Sequence, residues 1–151
     1  MTQAERVRTT GLDEQLCFAL YTASRAMTSC YRPMLDALGI TYPQFLVLLV
    51  LWERGDCSVT GIGNALQLET GTLSPLLKRL EAGGFITRTR QTGDERSVVV
   101  GLTPAGRALE EQAAEIQRAA QAATGLTDVE IVALRDSLRG LTASLRNAGN
   151  H

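Results

Sequence analysis

The sequence predicts a mainly α-helical chain with one small β-hairpin, which is an α+β fold class. Three observations support this prediction. Apolar residues recur at helical spacing over most of the chain, the period changes to two in one short segment, and residues that start or stop helices stand where this pattern requires them. The length of 151 residues suits one domain, and 44% apolar and 21% charged residues are ordinary for a globular protein.

The first two helices are predicted from their apolar residues. Thr10–Asp13 has the spacing of a capping box, and apolar residues then recur in steps of three and four from Leu16 to Met34. We expect this helix to end at Gly39. A second helix is expected from about Thr41 to Gly55, and because it is apolar almost all round, it should be buried in the centre of the fold.

The next segment predicts a short helix, a turn and a stronger helix. Thr60–Leu66 is a weak helix because it contains two glycines. The stronger helix begins near Thr72, and a proline in its first turn costs little because its missing N–H would be unpaired there. Its core-facing stripe is Leu73, Leu76, Leu77 and Leu80. Its opposite face is polar and consists of Thr72, Ser74, Pro75, Lys78 and Arg79.

The remaining elements are a hairpin and two more helices. FITRTR and RSVVVGL alternate with period two around QTGDE, which predicts a β-hairpin with a polar tip. Thr103 and Pro104 supply the cap and the first residue of a helix to about Thr124, and Thr127–Glu130 is a full capping box for the last helix. A heptad seam follows, made of Ile131, Leu134, Leu138, Leu141 and Leu145. The seam closes a bundle within the chain or, as we favour, packs in a dimer.

A short helix, a turn, a helix with a polar outer face and a hairpin together predict a winged helix-turn-helix. In that fold the second helix lies in the major groove of DNA and the wing follows the backbone. Between Thr72 and Thr92 four basic residues stand against one acidic residue, Glu81, although the net charge of the chain is −1. A local basic patch of this kind suits phosphate binding, and it is weak support on its own.

The composition argues against several other classes. No apolar run is long enough to span a membrane and the first residues lack the apolar core of a signal peptide, so we expect a cytoplasmic protein with no membrane partner. Three cysteines without CxxC spacing suggest neither a disulfide scaffold nor a metal site. The single histidine is His151, the last residue, so we expect no metal, no cofactor and no histidine-based active site.

Cys17 is the candidate redox residue, in the stretch LCFALYTASRAMTSCY. Tyr21 lies one turn further along the same face, whereas Tyr31 lies about 21 Å along the axis and can reach only the Cys17 of a second subunit. Two phenolic donors at the sulfur would favour the thiolate, which is the form that attacks peroxides. The alternatives are a buried packing cysteine and, for the two tyrosines, interface aromatics.

The stretch LETGTLSPLLKRLEAGGFITRTRQTGDERSVVVGLTPAG resembles the DNA-binding core of MarR-type transcriptional regulators, most specifically in its DER and LTPAG motifs. The resemblance covers nearly the whole chain. It implies a single domain over 1–151, with a winged helix-turn-helix core at about 41–102 and dimerisation helices at about 12–38 and 104–147. LCFALYTASRAMTSCY followed by ITYPQFLVLLVLWE resembles the organic hydroperoxide regulators called OhrR. Those proteins are homodimeric repressors that release DNA after organic hydroperoxides oxidise a first-helix cysteine.

This resemblance implies a role for each matching redox residue. Cys17 matches the peroxidatic cysteine, and Tyr21 and Tyr31 match the tyrosines that hydrogen-bond to it. The region Ala119–Leu145 contains no resolving cysteine, so the chain resembles the one-cysteine branch, which needs an external thiol. The other two cysteines have no assigned role. They are Cys30, on the apolar stripe, and Cys57, expected in a turn.

The candidate DNA-binding residues are Thr70, Thr72, Ser74, Pro75, Lys78, Arg79, Arg88, Arg90, Asp94 and Arg96. By resemblance, Arg96 is the wing arginine that enters the minor groove, braced by Asp94. Six of the others have a plainer interpretation. The lysine and the other arginines are then solvated surface charges, and Thr72 and Ser74 are then only helix caps.

The expected partners are double-stranded DNA with a pseudo-palindromic operator, a second copy of the chain, an organic hydroperoxide as inducer and a small thiol that forms a mixed disulfide with Cys17. The main alternative is a MarR-type regulator that is induced by a small aromatic ligand at the helix–wing junction. A structural DNA-binding dimer without an inducer is a third possibility. A thiol peroxidase would need a resolving thiol and an activating base close to the cysteine. The C-terminal helices contain no cysteine and the single histidine is the last residue, so we expect no enzyme.

Overall fold

The structure, a computed structural model, describes residues 8–91 and 97–149. After a short 3₁₀ turn, its elements in chain order are α1 (Leu16–Asp36), α2 (Tyr42–Arg54), β1 (Cys57–Ser58), α3 (Val59–Leu66), α4 (Thr70–Ala82), β2 (Ile86–Arg90), β3 (Val98–Leu102), α5 (Pro104–Ala123) and α6 (Asp128–Gly149). The predicted fold class, mainly α with a small β-structure, is confirmed. The chain divides into two compact units, Met1–Ile116 and Gln117–His151.

The predicted hairpin is present, but the sheet has a third strand. β2 and β3 pair antiparallel, and β1 pairs antiparallel with the other edge of β3, which gives the order β1-β3-β2. The expectation that Cys57 lies in a turn is therefore wrong. It pairs with Val100 in the sheet, is half-buried and packs against the core. A strand of two residues is too short to show alternation, so no sequence period could reveal it.

The start of α1 differs from the prediction. The helix begins at Leu16 after the 3₁₀ turn Leu12–Glu14, and Gln15 is its N-cap residue without a side-chain capping bond. The capping box predicted at Thr10–Asp13 is wrong, since Asp is one methylene shorter than the Glu that normally reaches back. At the other end, Gly39 has φ 75° and stops the helix as predicted.

α2 forms as the sequence predicts. The Thr41 N–H donates to Gln44 Oε1 at 2.9 Å, and the Gln44 N–H donates to Thr41 Oγ1 at 3.4 Å, so a capping box opens the helix. Gly55, with φ 77°, ends it. The predicted burial is confirmed, since Phe45, Val47, Leu48, Val50 and Leu51 are all buried. Together with leucines of α1 and α4, Ile62 of α3 and Val100 of β3, they form one core.

The predicted capping box of α6 is also confirmed. The Thr127 N–H donates to Glu130 Oε1 at 3.0 Å and the Glu130 N–H donates to Thr127 Oγ1 at 3.2 Å. These hydrogen bonds lower the pKa of Glu130 below its usual value. No described residue of α6 is buried. In the predicted heptad seam, Leu134, Leu138 and Leu145 are exposed, which leaves an apolar surface on this helix.

Gly106 allows the start of α5 to lie against the base of the sheet. Thr103 caps α5 by accepting the Gly106 N–H at 3.1 Å, and its hydroxyl donates to the Gly84 carbonyl at 2.6 Å. The Trp52 indole of α2 donates to the Gly106 carbonyl at 3.0 Å. A Cβ atom at Gly106 would overlap the Phe85 carbonyl oxygen, so only glycine fits there without a backbone shift.

We expect Gly106→Ala to lower the free energy of unfolding by about 1–3 kcal/mol, because the added methyl forces the α5 start away from β2. The matched control is Gly71→Ala in the first turn of α4, where an added Cβ meets nothing within 4 Å. That change should raise the free energy of unfolding by up to about 1 kcal/mol through helix propensity. Urea unfolding at one protein concentration measures both. Equal stability of Gly106→Ala and the wild type would show that the contact is not tight.

Candidate functional site

Helix α4 begins two residues earlier than predicted. The Thr72 and Leu73 N–H groups both donate to the Glu69 carbonyl, at 3.1 and 3.0 Å, and Glu69 is the N-cap residue. Thr72 and Ser74 therefore lie inside the helix, and the interpretation of these residues as caps is wrong. Pro75 is also inside the helix and not in its first turn, so its ring leaves a backbone carbonyl of that turn without a helical partner.

The predicted polar face of α4 is exposed. Leu73, Leu77 and Leu80 are at most 1% exposed and attach the helix to the core. The exposed residues of α4 include Thr70, Thr72, Ser74, Pro75, Lys78 and Arg79. The buried leucines therefore hold the helix in place while hydroxyl and basic side chains point outward, as a helix that reads DNA requires.

The turn between α3 and α4 is tight. Ser58 caps α3 by accepting the Gly61 N–H at 3.0 Å, and the Leu68 N–H donates to the Gly63 carbonyl at 2.9 Å. A Cβ atom at Gly63 would lie 2.9 Å from the Leu68 carbonyl oxygen, so this close return of the chain favours glycine. The turn fixes α4 relative to α3, which is the arrangement of a helix-turn-helix.

Arg88 of β2 is bound to Glu81 of α4. Its backbone N–H, Nε and Nη2 donate to the Glu81 carboxylate at 3.2, 3.3 and 3.1 Å. The hydrogen bonds from Arg88 hold the pKa of Glu81 below its usual value of 4.5. Arg88 is therefore an ion-paired surface residue, with its side chain 33% exposed, and not an isolated solvated charge. Sequence reasoning missed Glu81 as a site residue, because the pair joins two different elements and no helical or strand period links the two positions.

The outer face of the sheet carries a shallow polar cavity of about 440 Å³. Its lining residues are Asp56, Thr87, Thr89, Arg90, Gln91, Val99 and Gly101. Arg90 is exposed at its rim. Among the described residues, the lining contains no aromatic side chain and one aliphatic one, which does not suit a small aromatic ligand. The remaining candidates for the wing, Asp94 and Arg96, lie outside the described residues.

Cys17 is exposed near the start of α1. Among the described residues its thiol has one hydrogen-bond partner, Gln15 Oε1 at 3.6 Å, which sequence reasoning did not identify. Tyr21 is 58% exposed, and the Arg25 guanidinium carbon lies 5.3 Å from its ring centroid. Because Cys17 is exposed in the chain, it is not a core-packing residue.

Tyr31 lies far along α1 in a different environment. Its ring packs against Tyr42 at 5.1 Å and Phe45 at 5.7 Å between centroids, both of α2. Burial, with smaller effects from Tyr42 and Cys30, raises the pKa of Tyr31 above 10.0. The hydroxyl therefore stays protonated as a donor at neutral pH. Within one chain the structure does not bring this hydroxyl to Cys17.

The described ranges, 8–91 and 97–149, show neither a membrane-spanning helix nor a metal-binding cluster. No helix there combines the length and hydropathy that crossing a membrane requires. The same residues contain no group of three or more His, Cys, Asp or Glu side chains that could hold a metal ion.

Comparison with known proteins finds similarity to transcriptional regulators in both sequence and structure. Residues 40–98 match the MarR family profile. The chain is 53% identical over 105 residues to an organic hydroperoxide resistance transcriptional regulator of Bacillus subtilis strain 168, covering 70% of this chain and 71% of that protein. It is 46% identical over 145 residues to the HTH-type transcriptional regulator TtmR of Methylorubrum extorquens strain PA1, covering 96% and 74%. The structure of reduced AbfR bound to DNA, a Staphylococcus epidermidis protein, matches with a TM-score of 0.74 and 36% identity, covering 89% of this chain and 94% of that one.

The Glu81 carboxyl offers a test of the contact between α4 and β2. Because its pKa is lowered in the folded chain, the contact stabilises the fold above the ordinary carboxyl pKa and is lost as the pH falls through the folded value. We expect an NMR titration to find the pKa of Glu81 below 4.5 and to find it raised in Arg88→Gln. Arg90→Gln, two residues further along β2, is the control and should leave it unchanged. A wild-type value of 4.5 or above would contradict the contact.

Proposed function

The chain belongs to the MarR family of transcriptional regulators, and from this premise we propose that it is a homodimeric repressor that releases its operator when an organic hydroperoxide oxidises Cys17. It is a regulator and not an enzyme. The observation that carries the proposal is the exposed Cys17 thiol one helical turn from the exposed Tyr21. The similarity to the Bacillus regulator of organic hydroperoxide resistance supports the choice of inducer.

The geometry of α1 requires a second subunit for the complete sensor. The helix is continuous from Leu16 to Asp36, so Cys17 and Tyr31 of one chain are about 21 Å apart along its axis. The Tyr31 hydroxyl that donates to a Cys17 sulfur therefore comes from the partner in a dimer. Its raised pKa keeps the proton on the phenol, so it remains a hydrogen-bond donor to a thiolate.

The chemistry at Cys17 is a two-electron oxidation. The thiolate sulfur attacks the terminal peroxide oxygen, the O–O bond breaks, and the alkoxide leaves and takes a proton to become the alcohol. The sulfur becomes a sulfenic acid, and a small thiol then condenses with it to give a mixed disulfide and water. Neighbouring Leu16, Phe18 and Leu20 provide an apolar approach, which favours an organic hydroperoxide over hydrogen peroxide.

The exposed face of α4 is the proposed DNA-binding surface. We place α4 in the major groove, with Thr70, Thr72 and Ser74 at its N-terminal part reaching base edges. Lys78 and Arg79 then contact phosphates. Pro75 adds an apolar contact on the same face, and Arg90 of β2 contacts the DNA backbone. Arg96 enters the minor groove and is braced by Asp94. Two copies present two such surfaces, which predicts a pseudo-palindromic operator.

Cys17→Ser tests the sensor. A duplex that the reduced protein selects from random-sequence DNA serves as the operator, and fluorescence anisotropy follows its release. An equimolar amount of cumene hydroperoxide, with and without a small thiol, should weaken binding by the wild type about 5- to 150-fold, a typical range for allosteric coupling. Cys17→Ser should bind before and after treatment alike, because serine cannot be oxidised in this way.

Cys30→Ser and Cys57→Ser are the matched controls, since both thiols are half-buried and neither is assigned to the sensor. Both should respond to the hydroperoxide like the wild type. Release by Cys17→Ser would contradict the redox proposal. It would favour the other candidate, induction by a small aromatic ligand, which a ligand titration on the same duplex then tests.

The double variant Lys78→Ala/Arg79→Ala tests the phosphate contacts. Each phosphate contact adds about 0.9 to the slope of log K against log salt concentration, and the homodimer loses four such contacts, two in each subunit, so the magnitude of the slope should fall by about 3.6. Arg107→Ala changes an exposed basic residue of α5 and should leave the slope unchanged. Anisotropy titrations at several salt concentrations measure both slopes. An unaltered slope in the double variant would place these residues outside the interface.

A further inference from the structure

The Glu81 carboxylate connects the proposed DNA-reading helix to the wing strand. Glu81 lies near the C-terminal end of α4, and among the described residues its three hydrogen bonds come from Arg88 in the middle of β2. Oε2 accepts the backbone N–H and Nε, while Oε1 accepts Nη2. One carboxylate therefore holds both the backbone of the strand and the orientation of its guanidinium.

The register of the sheet explains why the backbone N–H of Arg88 is available. The Thr103 N–H donates to the Phe85 carbonyl and the Gln91 N–H donates to the Ser97 carbonyl, so residues 85 and 91 direct their hydrogen-bonding groups toward β3. Arg88 has the opposite parity along β2, so its N–H points away from β3. β2 is an edge strand, and Glu81 supplies the acceptor that the sheet does not.

The same contact removes Arg88 from the set of phosphate ligands. Two of its side-chain nitrogens donate to Glu81, and the carboxylate neutralises its charge. The carboxylate already meets the guanidinium in a two-pronged geometry, so a phosphate competes with it for the Nε and Nη2 donors. The sequence pattern treated Arg88 and Arg90 alike, whereas the structure separates them by the partner of Arg88.

We propose that Glu81 is a positioning residue for DNA binding, which fixes β2 to the end of α4 and keeps Arg88 from phosphate. This inference rests on the proposed function, and it names how the two parts of the reading surface are aligned. The wing strand and the recognition helix must present their contacts at a fixed separation to fit two grooves of one duplex. A rigid link between them lowers the cost of ordering this surface on binding.

The test compares Glu81→Gln, Arg88→Gln and the double variant on the selected duplex at several salt concentrations. We expect each single variant to weaken binding by about tenfold, and the double variant to be no weaker than either, because both remove one shared contact. The salt slope should stay at the wild-type value in Arg88→Gln and in the double variant, since neither loses a phosphate ligand. Arg90→Gln is the matched control on the same strand, and its slope should fall by about 1.8, because the dimer loses one phosphate contact in each subunit.

Several results would overturn the proposal. A tighter complex of Glu81→Gln would show that the contact opposes DNA binding and does not position the strand. A reduced slope in Arg88→Gln would show that Arg88 binds phosphate already in the wild type, and unchanged affinity in both variants would show that the contact has no role in binding. If the wild type binds a selected duplex but the variants give one of these results, only this inference fails and the proposed function stands. If wild type selects no duplex at all, the proposed function fails and this inference fails with it.

Discussion

The burial of α2 on nearly every side is the constraint on which the first unit depends. Phe45, Leu48 and Leu51 are each at most 1% exposed, and α1, α3, α4 and β3 all contact this helix. The Trp52 indole extends the contact to the start of α5. Because cores are close-packed, a displacement of one of these elements cannot be absorbed locally. The helix proposed to read DNA and the helix that carries Cys17 therefore share one rigid support.

Tyr31 connects the proposed sensor at Cys17 to the core around α2. Its ring lies against Tyr42 and Phe45, so a hydroxyl that serves the partner's Cys17 is part of the same aromatic cluster that packs on α2. Under the proposed chemistry, oxidation adds an oxygen at a sulfur that this hydroxyl contacts. The change then acts on Tyr31, which packs against the core at α2, and it does not depend on a flexible segment.

Local chemistry decided which elements could be predicted from the sequence. α2 and α6 start where the sequence predicts, α6 from its capping box at Thr127–Glu130 and α2 from Thr41 before Pro43. Three features could not be predicted from the sequence. β1 is too short to show a period, α4 starts at a residue whose side chain makes no cap, and the contact of Glu81 with Arg88 joins two elements. The residues of the candidate site were predicted from the family resemblance and from their position on the polar face of a helix. Their hydrogen-bond partners depend on tertiary contacts that no local sequence pattern encodes.

Sensing and DNA affinity depend on the same association in the proposed dimer. A single chain cannot bring Tyr31 to Cys17, because both lie on one continuous helix. It also offers only one α4, whereas a pseudo-palindromic operator needs two. The apolar residues that one chain leaves exposed, such as Leu16 in α1 and Leu134 and Leu145 in α6, are the kind of surface that a second copy covers. Two-fold symmetry then completes two thiol sites and two reading helices in one step. A change at either thiol therefore acts on contacts that belong to both subunits.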